Sequence, residues 1–408
     1  MNWINYRSTK PLTYARENIA AFPETCILQL SAQETELFTQ MALSIKANPY
    51  KTEEQEDFIL GAKQIAAAFS PAARQFIDQH LQQGFGAVQV KGVPIDEDLP
   101  ETPSIGGPLS PDYKKTFVSE AMLMALGALT GAEPFNFRQE GQGKAPLIDN
   151  IVPVYKLKAQ KGAGGFDNNF PFHCESAWHR KRPDYLILQG IREAPDARTL
   201  VFSTQMFENS KWQDSSLDIS NWFRLKAPDL YVQMEQAGIP MGTASYSFEP
   251  PLCREAGSFR LNINFNGTDC IDMDAVNWLS ELEDFIEAKT VGAVIAPGNA
   301  LLLNNHITCH TRTGYTPTFN GMDRWFLRGY FKKDLWSGST STANNGAYDA
   351  KAFSELMELG WITNDGNLTS TFAKYIYHPE ETRQLTGRMA ELAALAFHYT
   401  PMAGSRLV

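Results

Sequence analysis

His173-Cys174-Glu175, answered 135 positions later by His310, limits the fold more than any other feature of the chain. Residues two apart on a strand point to the same side of a sheet, so His173 and Glu175 are expected to reach one metal together. Two imidazoles and a carboxylate occupy one face of a metal and leave the opposite positions open, as oxygen activation at mononuclear iron(II) requires. Cys174 points the other way and is expected to pack rather than ligate, although a thiolate is a good soft ligand. His306 competes with His310 as the distal ligand, and is otherwise a hydrogen-bonded residue at a strand end. His179 reads as a structural hydrogen-bonder.

Around these residues the pattern is one of strands. Gly86 to Pro94 alternates and ends in a breaker; Leu147 to Val154, Tyr185 to Leu188 and Thr199 to Phe202 follow. Ala300-Leu301-Leu302-Leu303, after Pro297-Gly298, reads as a buried strand delivering His310, and Arg324 to Phe331 as the next one. Helical spacing marks helices within residues 31 to 82, for instance over the stretch from Ala66 to Leu81, then Lys115 to Leu129 with Gly131 as cap, and the tail at Ala350 to Leu359 and Pro379 to His398. Lys161-Gly162-Ala163-Gly164-Gly165 with Asp167-Asn168-Asn169 reads as a loop at the pocket mouth or a plain surface connector. Residues 208 to 258 have no clean period and read as an insertion over the site.

Hydrophobic residues make up 43% of the 408 and aromatics 12%, ample for one enclosed core. A net charge of -10 argues against nucleic acid or an anionic membrane as the main partner and for a small molecule. Cys26, Cys174, Cys253, Cys270 and Cys309 contain no Cys-x-x-Cys pair and are odd in number, which argues against a disulfide framework or a structural zinc site and fits a reducing cytoplasm. Neither a signal pattern at Met1 to Arg7 nor an apolar run of about 18 residues is visible, so export and membrane spanning are not expected.

Three stretches carry a resemblance: Lys91-Gly92-Val93-Pro94-Ile95-Asp96 through Pro103, His173 to His179 with Arg182-Pro183-Asp184-Tyr185, and Asn305 through Arg328. Together, over roughly residues 84 to 335, the chain resembles the clavaminate synthase-like iron(II)/2-oxoglutarate oxygenases, which include hydroxylases of free arginine, asparagine and lysine. The resemblance implies a double-stranded β-helix (jelly roll) core with flanking helices, one oxygenase domain over 1-408. Its parts would be N-terminal helical support at 1-83, the core at 84-335 and a helical extension at 340-408, the last offering either a homo-oligomer interface or further packing. It also implies iron(II), 2-oxoglutarate and O2, with oxidative decarboxylation to succinate coupled to hydroxylation of an unactivated C3 or C4 carbon of an amino acid.

Position by position, His173, Glu175 and His310 match the family's metal triad. Arg324, fourteen residues past His310, matches the arginine that pairs with the distal carboxylate of 2-oxoglutarate, with Thr199 adding a hydroxyl. Arg328, on the same strand face, matches the arginine for the substrate α-carboxylate, against the alternative of a surface ion pair. The resemblance gives the substrate amine to Glu175 and to an upstream glutamine, Gln139 or Gln142. Halogenases of this chemistry lack the carboxylate that Glu175 supplies, so chlorination is not expected. Where arginine hydroxylases place two acids for the guanidinium, this chain has Asn262 and Asn264 on one side of a strand. A guanidinium there loses two charge-assisted bonds of about 1.5–3 kcal/mol each, so arginine is disfavoured. Lysine, held by carbonyls or by Asp269 or Asp272, leads the substrates expected, with a neutral polar amino acid as the alternative. A non-oxidative metal-binding jelly roll would explain His173, Glu175 and His310 but gives no reason for Arg324.

Overall fold

The computed structural model describes residues 3–6, 19–135, 147–179, 182–213, 222–226, 246–247, 250–255, 258–333, 355–361 and 389. Its strands are β1 (Ile4–Tyr6), β2 (Ala20–Ala21), β3 (Ile27–Gln29), β4 (Ala87–Lys91), β5 (Glu133–Phe135) and β6 (Ile148–Ile151). There follow β7 (Phe170–His173), β8 (Tyr185–Arg192), β9 (Thr199–Ser203), β10 (Phe223–Lys226), β11 (Tyr246–Ser247) and β12 (Leu252–Glu255). The last are β13 (Ser258–Leu261), β14 (Thr268–Cys270), β15 (Val291–Ala293), β16 (Asn299–Asn304), β17 (Thr308–Arg312) and β18 (Trp325–Lys332).

Two sheets dominate. One runs β3-β4-β16-β8-β18-β5 with β6 also paired to β18, and the other runs β2-β15-β9-β17-β7. Leu186, Leu188, Leu301, Leu303 and Phe326 of the first meet Val201, Val291 and Ala293 of the second in one apolar layer. On the opposite face of the first sheet the alternate residues Ile187, Ala300, Leu302, Leu327 and Phe331 pack against helices α1 (Ala32–Ser44), α2 (Gln55–Ala68) and α4 (Val118–Ala128). A strand buried on both faces shows no polar alternation, which is why β8 is buried along all its length. Gly127 lets α4 close on β18, since a Cβ there would lie 1.9 Å from the Phe331 ring. The helix Met273–Lys289 covers the outer face of the second sheet through Leu279, Leu282 and Ile286, against Leu200, Phe202 and Cys309.

The stretch from Ala66 to Leu81 is not one helix. Ser70 accepts a hydrogen bond from the Ala73 amide as an N-cap and Pro71 opens α3 (Pro71–Asp78), so α2 ends at Ala68. A capping box between Ser31 and Glu34 starts α1. Gly131 has φ +72°, consistent with its role beyond α4. All five cysteines are free. No helix among the described residues is long and apolar enough to cross a membrane. Most of the insertion at 208 to 258 and of the C-terminal extension, with the helix from Pro379 to His398, lies outside the described residues, apart from a helical turn near 355–358.

Candidate active site

His310 is the Cα partner of His173 across the antiparallel pair β17–β7, at the edge of the second sheet. The two imidazoles therefore stand side by side, with ring centroids 4.4 Å apart. His310 does not come on the strand read as delivering it: β16 ends at Asn304, the chain crosses between the sheets, and β17 carries the histidine back.

Glu175 reaches the site by a different route from the one expected. β7 ends at His173, and Glu175 lies in the turn beyond it, where Ser176 has φ +51°. Asn305 fixes that turn: its Oδ1 accepts from the Glu175 amide at 2.7 Å and its Nδ2 donates to the Glu175 carbonyl at 2.9 Å. The carboxylate then divides its work. Oε2 lies 3.8 Å from His173 Nε2 and 4.0 Å from His310 Nε2, while Oε1 accepts from Tyr330 at 2.7 Å and from Arg328 Nη1 at 3.4 Å.

The electrostatics favour ligation. Burial pushes His310 down to about 3, with His173 and Arg328 adding to the effect, and burial likewise lowers His173. Both rings are neutral at pH 7, as ligands must be. His173 Nδ1 lies 2.9 Å from the Pro171 carbonyl and donates its N–H to it, which leaves the unprotonated Nε2 facing Glu175. Burial opposes ionisation of Glu175, yet Arg328, the imidazoles and Tyr330 hold it at about 2. His173, Glu175 and His310 offer ligand atoms within 4.8 Å of one another, the only such group of three or more among the described residues. This donor set fits iron(II) with open positions.

A cavity opens over the three, lined also by Thr199, Arg312, Arg324, Arg328 and the apolar Ile151, Phe170, Leu188 and Phe326. Arg324 precedes β18, whose register shifts between Trp325 and Phe326, yet it keeps the side of the strand that Phe326 and Arg328 share. It is buried, stacks over Phe326 at 3.7 Å, and leaves Nε and Nη1 without hydrogen-bond partners. A buried guanidinium with orphaned donors calls for an anion. Arg328 is not a surface ion pair: Nη2 donates to Asp149 Oδ2 at 2.9 Å, and Asp149 is its Cα partner on β6.

Other expectations fare unevenly. Cys174 points away, its Sγ against the Leu261 and Thr308 carbonyls at 3.4 Å each. His306 is no ligand, because Nε2 meets Asp184 at 2.7 Å and Nδ1 faces Arg182 and Arg260. His179 is buried, its amide bonded to the Ser176 carbonyl. Asn262 and Asn264 do not form a pair facing the cavity: β13 ends at Leu261, Asn262 Nδ2 donates to the Pro250 carbonyl, and Asn264 bridges His173 through the backbone. Of the acids offered for lysine, Asp269 pairs with Arg224, Lys226 and Asn5, and Asp272 caps the helix Met273–Lys289. Gln139 and Gln142 lie outside the described residues. Sequence reasoning missed Tyr330, Asp149 and Arg312. Tyr330, two residues past Arg328, was legible from the alternation alone.

No family model matches the chain. It is 28% identical over 255 residues to the L-asparagine oxygenase of Streptomyces coelicolor, covering 61% of this chain and 72% of that protein. To clavaminate synthase 2 of Streptomyces clavuligerus it is 27% identical over 294 residues, 68% of this chain and 84% of that protein. The chain is similar to clavaminate synthase 2 over about two thirds of its length. The fold agrees: an asparagine oxygenase solved with Fe(II), 2S,3S-3-hydroxyasparagine and succinate superposes with a TM-score of 0.64 at 22% identity, over 77% of this chain and 95% of that one.

Proposed function

We propose that the protein is an iron(II)- and 2-oxoglutarate-dependent dioxygenase that hydroxylates C3 or C4 of a free L-amino acid, in one oxygenase domain whose two large sheets form a double-stranded β-helix. The observation that carries the reading is Arg324, a buried guanidinium with unmatched donors in the same cavity as His173, Glu175 and His310. A structural metal site gives no reason for it.

His173 Nε2, Glu175 Oε2 and His310 Nε2 would hold the metal. When bound, iron(II) with 2-oxoglutarate and O2 supplies the oxidising power that converts a C–H bond to C–OH while 2-oxoglutarate becomes succinate and CO2. Arg324 holds the distal carboxylate of 2-oxoglutarate, with the Thr199 hydroxyl as a further donor. Arg328, fixed by Asp149 and Glu175, presents its remaining face to the substrate α-carboxylate, and Glu175, with Gln139 or Gln142, accepts from the α-amine. Ile151, Phe170, Leu188 and Phe326 keep water from the cavity and so strengthen these ionic contacts. Anchored at both α-groups, an amino acid turns its C3 and C4 toward the metal.

The side chain is neutral and polar. Lysine, which led on the sequence, loses the two acids offered to its ammonium, since Asp269 and Asp272 are engaged elsewhere. Among the described lining residues the one carboxylate is Glu175, which Tyr330 and Arg328 already engage and which would also ligate the metal. Succinate release measured with each of the twenty amino acids and citrulline tests this. Stimulation by asparagine, glutamine or citrulline is expected. Stimulation by lysine alone would refute the neutral side chain, and stimulation by none would refute amino-acid hydroxylation.

A further inference from the structure

Arg312, two residues beyond His310, is a second buried guanidinium in the cavity wall, and among the described residues no carboxylate pairs with it. It spans two carbonyls. Nη1 donates to Thr313 O at 2.8 Å, and Nη2 donates to Gly165 O at 2.7 Å across 147 residues of sequence. Gly165 belongs to a loop folded on itself: Val154 N donates to Gly164 O, and Phe166 N and Asp167 N both donate to Lys158 O. A Cβ at Gly165 would lie 1.9 Å from the Gln160 carbonyl, so this tight turn accepts only glycine. Ala163, at its tip, lines the cavity.

The loop is tied to the chain after β17 by two more bonds, Gly314 N to Asn169 Oδ1 at 2.6 Å and Tyr315 N to Phe166 O at 3.0 Å. Tyr315 is also where the two cations meet. The guanidinium of Arg312 stands 5.0 Å from its ring centre and that of Arg324 5.6 Å. Two buried like charges facing one ring repel, and the repulsion acts on the group that grips Gly165. A carboxylate bound at Arg324 cancels it.

We propose that Arg312 is a positioning residue that couples the loop 158–169 to the anion site at Arg324, so that filling that site holds the loop down over the cavity. Coupling of this kind is reciprocal: what the anion does for the loop, the anchored loop does for anion affinity. The inference rests on the reading of Arg324 as the 2-oxoglutarate site.

Trypsin reads the loop directly, because Lys156, Lys158 and Lys161 are exposed. In the full-length, iron(II)-loaded, anaerobic protein, saturating 2-oxoglutarate is expected to slow cleavage after these lysines at least about fivefold, the low end of ordinary coupling. In Arg312→Met the slowing is lost and 2-oxoglutarate binds more weakly by the same factor. Arg312→Lys keeps the charge but not the two-carbonyl span, and is expected to lose the slowing too. The wild-type arm decides without any variant. If the visible charge-transfer band shows 2-oxoglutarate bound while cleavage is unchanged, the coupling is refuted and the oxygenase reading stands; if no band forms, both fall. Slowing retained in Arg312→Met refutes the role of Arg312.

Discussion

Replacing Arg324 by methionine should make the ligand-free protein more stable while removing its response to 2-oxoglutarate. The guanidinium is 4% exposed, and burial lowers its affinity for the proton, with Tyr315 opposing. Nε and Nη1 lack acceptors, and a buried unsatisfied donor costs about 1–3 kcal/mol, more when charged. Stacking on Phe326 at 3.7 Å returns about 0.5–2 kcal/mol. Methionine matches the arginine stem in length and carries no donor, so relieving two such donors at about 2–6 kcal/mol and losing the stacking leaves the ligand-free variant with a gain of up to about 5 kcal/mol. In the wild type, 2-oxoglutarate at a hundredfold excess over its Kd adds about 2.7 kcal/mol, because it binds only the folded state. Urea unfolding of metal-loaded protein under argon, with and without 2-oxoglutarate, measures both effects. A variant less stable than wild type and still stabilised by 2-oxoglutarate would refute the reasoning.

Tyr330→Phe removes the 2.7 Å bond to Glu175 Oε1 and leaves only Arg328 at 3.4 Å on that oxygen. Loss of such an outer partner is expected to weaken iron(II) binding about 10- to 100-fold in chelator competition, and an unchanged Kd would contradict it. Arg328→Ala should spare 2-oxoglutarate binding but remove substrate-stimulated succinate release; loss of 2-oxoglutarate affinity instead would mean that the two arginine roles are exchanged. His306 is pushed down to about 3 by burial, with Arg182 and Arg260 adding and Asp184 opposing. The unfolded chain therefore binds a proton that the folded protein refuses between about pH 6.5 and 3. Stability contributed by this group is present above pH 6.5 and falls below it by up to about 1.4 kcal/mol per pH unit. His306→Gln is expected to flatten that decline in denaturation midpoints measured from pH 7 to 5, and an equally steep decline would count against it.

The sequence made the site legible where local geometry determines it. His173 was readable from its spacing to Glu175 and His310 from the resemblance; that the two are cross-strand partners on an edge pair is visible only in the structure. Glu175 comes near both histidines, but not along a strand as the two-residue spacing suggests: Asn305 holds it in a turn. The same limit explains Asn262 and Asn264. Alternation was extended past Leu261, where β13 stops and the Asn262 side chain turns to the Pro250 carbonyl. Asp149 and Arg312 went unseen because their meaning lies in partners far along the chain, Arg328 for one and Gly165 for the other. Helical spacing over Ala66 to Leu81 does not by itself mark where one helix gives way to the next; Ser70-Pro71, a cap followed by a first helical turn, does.

The central claim is tested most directly by adding 2-oxoglutarate to the anaerobic iron(II) protein and recording its visible spectrum. A weak metal-to-ligand charge-transfer band is expected, absent in His310→Ala and in Arg324→Met. Folded, iron-loaded wild-type protein that gives no band would contradict the account.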